Sequence, residues 1–547
     1  MSRLKPALIV TVTAVALAAA GCLSWGSGSS DTDQTEAELT DAEERKQMTV
    51  LFVADLHAQL EEHPELFWDD DMGGGERLEM AGGFARLSNA IAQLREEAGG
   101  DVLVLDGGDT IQGSGEAALT EGKAIVAPAN ELGLDAGIPG NWSVAYGAEA
   151  MIDRLDEFDH TIFADNVYDA ETNERLYDPY IIREVGGVKV GIIGYTDPDV
   201  PERQPPAYSR GLSYTGPENL PNLIEEVRDD HGAEAVLLLS HIGLSKAVEL
   251  TDDLPEFDVH LSSDTHERTY EPIDRDGTWV VEPGAFGSLI GKLDLWVEDG
   301  EVVDRDWELI EVTADKFDED PEVLEVVAEA RAPVADELDE EIGYTKSELA
   351  RYNVIETNLD NLLADALRHT TGTDIALSNG FRFGHPVPEG PITEADLWRF
   401  YPIVTNLKTG EVTGQQLLDF WESELNNVFA ENPGDRFGGW IPRPSGMTVE
   451  FEALAPEGER VRELKIHGKP VDPDHTYTLT ACERDGEPDH TLCRIPHADN
   501  TEVYEVDAHE AVRTYLRERD HVESSLEQRL NPLDLPGVVR TQMLGVE

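Results

Sequence analysis

The sequence predicts a layered α/β domain followed by a second, mixed domain, and three observations carry that prediction. Short apolar runs of strand length alternate with segments of helical periodicity through the first half of the chain. An acidic, helix-prone stretch then interrupts the pattern, and a different order of helix, strands and turns follows it. At 547 residues the chain has ample material for more than one core.

Taken in order, residues 1–22 read as an export segment. Arg3 and Lys5 precede an apolar run from Ala7 to Ala20, too short to span a bilayer of about 30 Å unaided. The run ends Leu17-Ala18-Ala19-Ala20-Gly21-Cys22, which looks like a lipobox and implies cleavage before a lipidated Cys22; one acyl chain holds a membrane only marginally, so stable anchoring needs more than one. Residues 23–47 are Ser-, Gly- and acid-rich without periodicity, the composition of a solvated tether.

Thr49–Ala54, Val102–Leu105, Val188–Ile193, Ala235–Leu239 and Val259–Leu261 read as buried strands, and Phe84–Leu94 as an amphipathic helix among them. These place the first domain over residues 48–312. Residues 313–343 read as a linker helix, and 344–547 as the second domain. Its clearest element is a helix with Ile355, Leu359, Leu362, Leu363, Ala366 and Leu367 on one face; another helix is expected near Ala508–Arg519.

The charge balance narrows the function. Acidic residues number 112 against 41 basic ones, a net charge of -71, which repels phosphate backbones and excludes a nucleic acid polymer as partner. Because the acid is spread through apolar, periodic segments, it predicts a folded, salt-adapted, halophilic surface, screened at molar salt over roughly 3 Å. Of the remaining cysteines, Cys482 and Cys493 lie in one loop-like stretch. Outside the reducing cytoplasm a disulfide between them is the expected state, free thiols the alternative.

The chemistry-bearing residues sit at strand ends. Asp55-Leu56-His57 follows the first strand, Asp109 the second in Gly107-Gly108-Asp109-Thr110, and Asn141 lies in Gly140-Asn141-Trp142; Ser240-His241 and Asp264-Thr265-His266 follow later strands. Each alone is weak, but together they supply carboxylate, amide and imidazole donors without thiolate, a set suited to Mn, Zn or Fe. The loops beyond strand carboxyl ends are where α/β sheets place ligands.

This order of motifs resembles the calcineurin-like metallophosphoesterases, and with the second domain it resembles the 5′-nucleotidase family. The resemblance implies an α/β-β-α layered metallophosphoesterase domain followed by an α+β C-terminal domain, and two divalent metal ions, Mn first, Zn or Fe next. It assigns Asp55, His57, Asp109 and His266 to one ion, with Asp109 bridging to a second held also by Asn141, His241 and Asp264. A metal-bridging hydroxide is then the nucleophile.

Two positions depart from the pattern. Trp142 stands where a leaving-group His is usual, and an indole can donate a hydrogen bond but cannot shuttle a proton. Asp264 stands where an imidazole is usual. Trp142 with Tyr146-Gly147, Ser378-Asn379-Gly380-Phe381-Arg382-Phe383-Gly384 and Gly438-Gly439-Trp440-Ile441-Pro442-Arg443 resemble the SoxB thiosulfohydrolase branch, whereas Asn141 follows the nucleotidases.

The reading that results is an exported, lipid-anchored metallohydrolase of a thiosulfonate or related sulfur ester, with Asp109, Asn141 and Trp142 at the reaction centre and Arg382, Phe383 and Arg443 binding substrate. Its partner is a small anionic substrate or a thiosulfonate-bearing carrier protein. The alternatives are a phosphohydrolase of nucleotides or other phosphomonoesters, in which Phe383 could stack a base, and a metal-binding protein that has lost turnover.

Overall fold

The run Met48–Ala54 is buried at every position, which a strand achieves only when both faces of its sheet are covered. The computed structural model describes residues 45–69, 74–437, 439–541 and 543. The export segment, Cys22 and nearly all of the tether lie outside the described residues, and the first strand, Lys46–Val53, starts two residues ahead of the expected domain boundary at 48.

That strand pairs in parallel with Val102–Asp106, Val50 opposite Leu103, and antiparallel with Leu289–Glu298, Val50 opposite Leu293. Glu301–Glu311, Ala136–Gly137 and Thr161–Ile162 complete this six-stranded sheet. A second six-stranded sheet runs Ile273–Arg275, Thr278–Val281, Val259–Ser262, Ala235–His241, Val188–Thr196 and Tyr180–Val185. Alternation along each strand sorts side chains between two cores. Val50 and Phe52 meet Ile192, Leu237, Leu239 and Leu261 between the sheets. Leu51 and Val53 face the helix Phe84–Glu97 outside one sheet, while Val236 and Leu238 face the helix Leu244–Asp253 outside the other. The result is the α-β-β-α layering.

The expected linker helix over 313–343 is instead two helices, Pro321–Arg331 and Ala335–Leu338. Pro333 lies between them and cannot continue a helix. Val323 and Val327, four apart and so on one face, are buried with Phe84 and Leu87, which docks the first of these helices on the first domain. Its start is capped by Asp320, whose side chain accepts from the Glu322 and Val323 amides. The next strand, Glu341–Thr345, already pairs with Gly390–Thr393 in the second domain.

The second domain holds a five-stranded sheet in the order Arg443–Ser445, Ile375–Ser378, Thr476–Cys482, Asn406–Thr413, Asp499–Asp507, and a four-stranded sheet beside it. The helix Asn358–Thr371 begins at a Thr357 cap, so Ile355 is buried in the segment before it and not on its face. The final helix is Ala508–Arg517. Cys482 and Cys493 are free thiols, correcting the expected disulfide. Cys482 packs against the Leu359–Leu367 core and Cys493 against the Trp421 core, and both border the same cleft.

The domains meet around Glu65, which pairs with Arg268 at 3.1 Å and accepts from the Tyr352 hydroxyl at 3.3 Å. Arg268 lies over the Trp68 ring at 3.9 Å. Among the described residues no helix is long and apolar enough to cross a membrane.

Candidate metal centre and substrate cleft

The donors hang from turns that only a tight loop at a strand end would impose. Asp55, His57, Asp109, Asp264 and His266 all adopt positive φ, at 51°, 45°, 56°, 95° and 56°, a conformation that costs L-residues energy and gathers at functional sites. Gly140 has no side chain for a related reason: a Cβ there would stand 2.1 Å from Asp109 Oδ1. The carboxylate of Asp109 fills that space and accepts the Trp142 backbone amide at 2.8 Å.

Two sets of donors converge with ligand atoms within 4.8 Å: Asp55, His57 and His266, and Asp55, Asp109 and His241. His266 Nε2 lies 3.5 Å from Asp55 Oδ1, and His241 Nε2 lies 3.3 Å from Asp109 Oδ2. The carboxylate common to both sets is Asp55, whereas the family resemblance put Asp109 in that place. Two imidazoles are aimed by the backbone: His57 Nδ1 donates to Gln112 O at 2.9 Å and His241 Nδ1 to Gly107 O at 2.7 Å, which leaves each Nε2 facing the centre.

The electrostatics call for cations. Burial opposes charge on His241, yet Asp109, Asp55 and Asp264 push it up to about 10, the mark of negative charge concentrated around its ring. Burial and the neighbouring His266 pull His57 down to about 4, leaving it a neutral ligand. Asp55 Oδ1, Asn141 Oδ1 and His241 Nε2 are buried without a hydrogen-bond partner among the described residues. Orphaned oxygen and imidazole donors of this kind fit divalent cations.

Asn141 and Asp264 lie against each other at the edge of the cluster, Asn141 Nδ2 donating to Asp264 Oδ1 at 2.5 Å. Asp264 is 4.0 Å from His241 Nε2 and is gripped on both oxygens by Arg203. Burial would raise its carboxyl, but Arg203 and His241 hold it well below the usual range. Behind the loop, buried Glu282 accepts from the Ser262 and Thr265 hydroxyls and the Glu267 amide. Burial and the charge of Asp55 push Glu282 up to about 8.

The second domain roofs the centre. Phe383 stands edge-on 4.5 Å from His57, and Trp142 meets Phe381 at 6.0 Å and Phe383 at 5.8 Å. Phe383 thus packs on the metal ligands instead of presenting a free face to a base. A cleft of about 1480 Å³, counting its open mouth, borders His266, Asp264 and Trp142 and is lined across from them by Arg382, Phe437, Trp440 and Arg484.

Arg443 does not reach this cleft, which corrects its reading as a substrate ligand. It is fully buried, with Nε donating to Ile355 O at 3.0 Å and Nη2 to Asn353 O at 2.5 Å. Arg203 was missed because it stands in no motif. So were Phe437 and Arg484, and among these only Trp440 carried a signal, within the Gly438–Arg443 run.

The layered fold with its strand-end donor cluster defines a metal-dependent phosphoesterase-type hydrolase. Residues 48–268 match the calcineurin-like phosphoesterase family and residues 334–482 the 5′-nucleotidase C-terminal domain, and the chain belongs to this two-domain metallophosphoesterase family. The 5′-nucleotidase of Vibrio cholerae serotype O1 is 24% identical over 500 residues, covering 81% of this chain and 85% of that protein. Two solved structures, both from Thermus thermophilus, share the fold over 90% of this chain at 24% identity. One is a sulfate thiohydrolase SoxB in complex with glycerol, with TM-score 0.81 and 98% of that chain covered. The other is a 5′-nucleotidase precursor, with TM-score 0.75 and 100% covered.

Proposed function

We propose that this protein is a nucleotidase-type phosphohydrolase, taking nucleoside monophosphates or other small phosphomonoesters. The observation that carries the reading is a cleft onto which the donor cluster opens through His266, with Asp264 beside it, and which is lined by arginines and aromatic rings. Arginines match a planar, anionic ester group, and aromatic rings match an apolar or base-like remainder. Relatives described as 5′-nucleotidases along most of both chains support it.

In this mechanism Asp55, His57, Asp109, His241 and His266, with Asn141, would hold divalent cations. Cations bound there supply positive charge to the ester oxygens and lower the pKa of water. Arg382 draws the anionic group toward the cluster, and Phe381, Phe437 and Trp440 offer the remainder of the substrate a wall. Trp142 holds Asp109 through its backbone amide, while Phe383 covers His57 and keeps bulk water off that side.

A second reading, cleavage of a thiosulfonate on a carrier protein, is favoured by Trp142 itself. Proton donation to a leaving group is worth roughly 10²–10⁴-fold, and an indole provides none. A thiolate with pKa of about 8.5 needs that donor least. Rates on a nucleoside monophosphate, a generic phosphate ester and a cysteine-S-thiosulfonate peptide separate the readings. The nucleotidase reading expects substantial wild-type hydrolysis of the nucleotide. Weak phosphate turnover that Trp142→His raises, beside good cleavage of the thiosulfonate, would overturn it in favour of the sulfur ester.

We also propose that the chain is exported and held at a membrane by lipid on Cys22. Its support is the sequence order of Arg3, Lys5, the apolar run and Cys22. Cys22→Ala is expected to move the protein from the membrane fraction to the soluble one, and an unchanged distribution would refute the anchor.

A further inference from the structure

Arg203 ends a short helical turn, Val200–Arg203, and its guanidinium forms a two-pronged pair with Asp264: Nη1 to Oδ2 at 2.9 Å and Nη2 to Oδ1 at 3.0 Å. Nη1 also donates to buried Asp197 at 2.6 Å, which orients the fork. A second-domain arginine fixes the turn, because Arg484 Nη2 donates to the carbonyls of Glu202, Arg203 and Gln204 at 3.1, 3.1 and 3.2 Å. Asp264 borders the donor cluster, bonded to Asn141 and 4.0 Å from His241 Nε2.

Three buried carboxylates, Asp55, Asp109 and Asp264, therefore crowd one pocket. Each would add to the attraction for a cation, but the last already has a counter-charge within bonding distance. Two parallel N–H···O bonds occupy a carboxylate's best lone pairs and cancel its charge at close range.

We propose that Arg203 is a positioning residue that neutralises Asp264 toward the metal centre, lowering the cluster's affinity for a divalent cation on the His241 side while keeping the Asp264 carboxylate aimed at Asn141. This rests on the metal-dependent class alone and is independent of which ester is cleaved. Removing the guanidinium leaves a buried, uncompensated carboxylate beside the donors, and a bound cation becomes its nearest counter-ion. Metal affinity should therefore rise, whereas loss of a merely structural arginine would leave it unchanged or lower it.

The experiment titrates the full chain, stripped with chelator, with Mn²⁺ by calorimetry, recording melting in parallel. Arg203→Met is expected to tighten Mn²⁺ by roughly tenfold or more and to melt lower without metal. Arg203→Lys, which keeps the charge, should stay within a few-fold of wild type, and Arg203→Met combined with Asp264→Asn should return toward wild-type affinity. Mn²⁺ binding by Arg203→Met that equals or falls below wild type overturns the proposal. Should that variant not fold, Asp264→Asn alone is expected to weaken Mn²⁺ by about tenfold, and unchanged binding there overturns it equally. Turnover, measured separately, bears only on the substrate reading.

Discussion

On the first-domain side of the cleft, the donors sit at or just beyond the ends of buried strands, five of them at positive φ, and two of the imidazoles, His57 and His241, are aimed by backbone carbonyls. On the second-domain side, Phe381, Arg382 and Phe383 follow the strand Ile375–Ser378 in an irregular loop, and touch the first side through ring edges. One wall is preorganised by covalent neighbours; the other is placed by packing between domains. Chemistry that needs ligand atoms fixed to fractions of an ångström belongs on the first kind of wall, and recognition that can vary with the substrate belongs on the second.

The largest expected effect tests the preorganised wall. Asp55→Asn removes the carboxylate common to both donor sets, so turnover should fall more than about 10³-fold. Metal content by elemental analysis should drop as well, with circular dichroism unchanged. Retention of the wild-type metal content would show that Asp109 carries the load instead.

Next comes a contrast of two arginines. Arg443→Met should destabilise the protein by about 3–5 kcal/mol, because three backbone carbonyls from Asn353 to Ile355 lose their donor. The Michaelis constant of the folded fraction should not move. Arg382→Met should instead cut kcat/KM by about 10–100-fold with a smaller shift in melting. Denaturant unfolding and steady-state kinetics on both variants decide whether the assignment of roles is right.

A smaller effect concerns the support behind the Asp264 loop. Glu282 is pushed up to about 8 from an ordinary value near 4.5, so the folded state binds a proton that the unfolded state has released. Its contribution is fully present below pH 4.5 and is lost as pH rises toward 8, at up to about 1.4 kcal/mol per pH unit. In metal-free protein, Glu282→Gln should flatten the decline of stability across that window. Parallel stability curves for wild type and variant would show that Glu282 is ionised throughout.

The smallest expected change couples the two walls. Phe383→Leu trims a ring that is 4% exposed and lies against His57, and should cost about 1–2 kcal/mol with metal content preserved. Loss of bound metal in this variant would mean that the roof helps to hold the ligands as well as to cover them.

What was readable in advance follows the same division. Asp55, His57, Asp109, His241 and His266 could be picked out because a donor at the end of a buried strand or within four residues beyond it is a local pattern, visible in a window of ten residues. The strand cores were equally legible, with the run from Ala235 extending only as far as His241. The linker was less so: Val323 and Val327 carried the docking face, but a stretch dominated by acid hid it.

The sequence by itself determined the order of strands and donors, the absence of thiolate from the cluster, and a net charge of -71. Only the tertiary structure decided which arginine serves which purpose. An arginine's fork is satisfied equally by a substrate, a carboxylate or backbone carbonyls, and nothing local distinguishes them. Arg443 is spent on carbonyls 88 to 90 residues away in sequence, and Arg203 on a carboxylate 61 residues away. Those partners meet only once the sheets have stacked and the second domain has closed over them, so the roles of these side chains are properties of the packing.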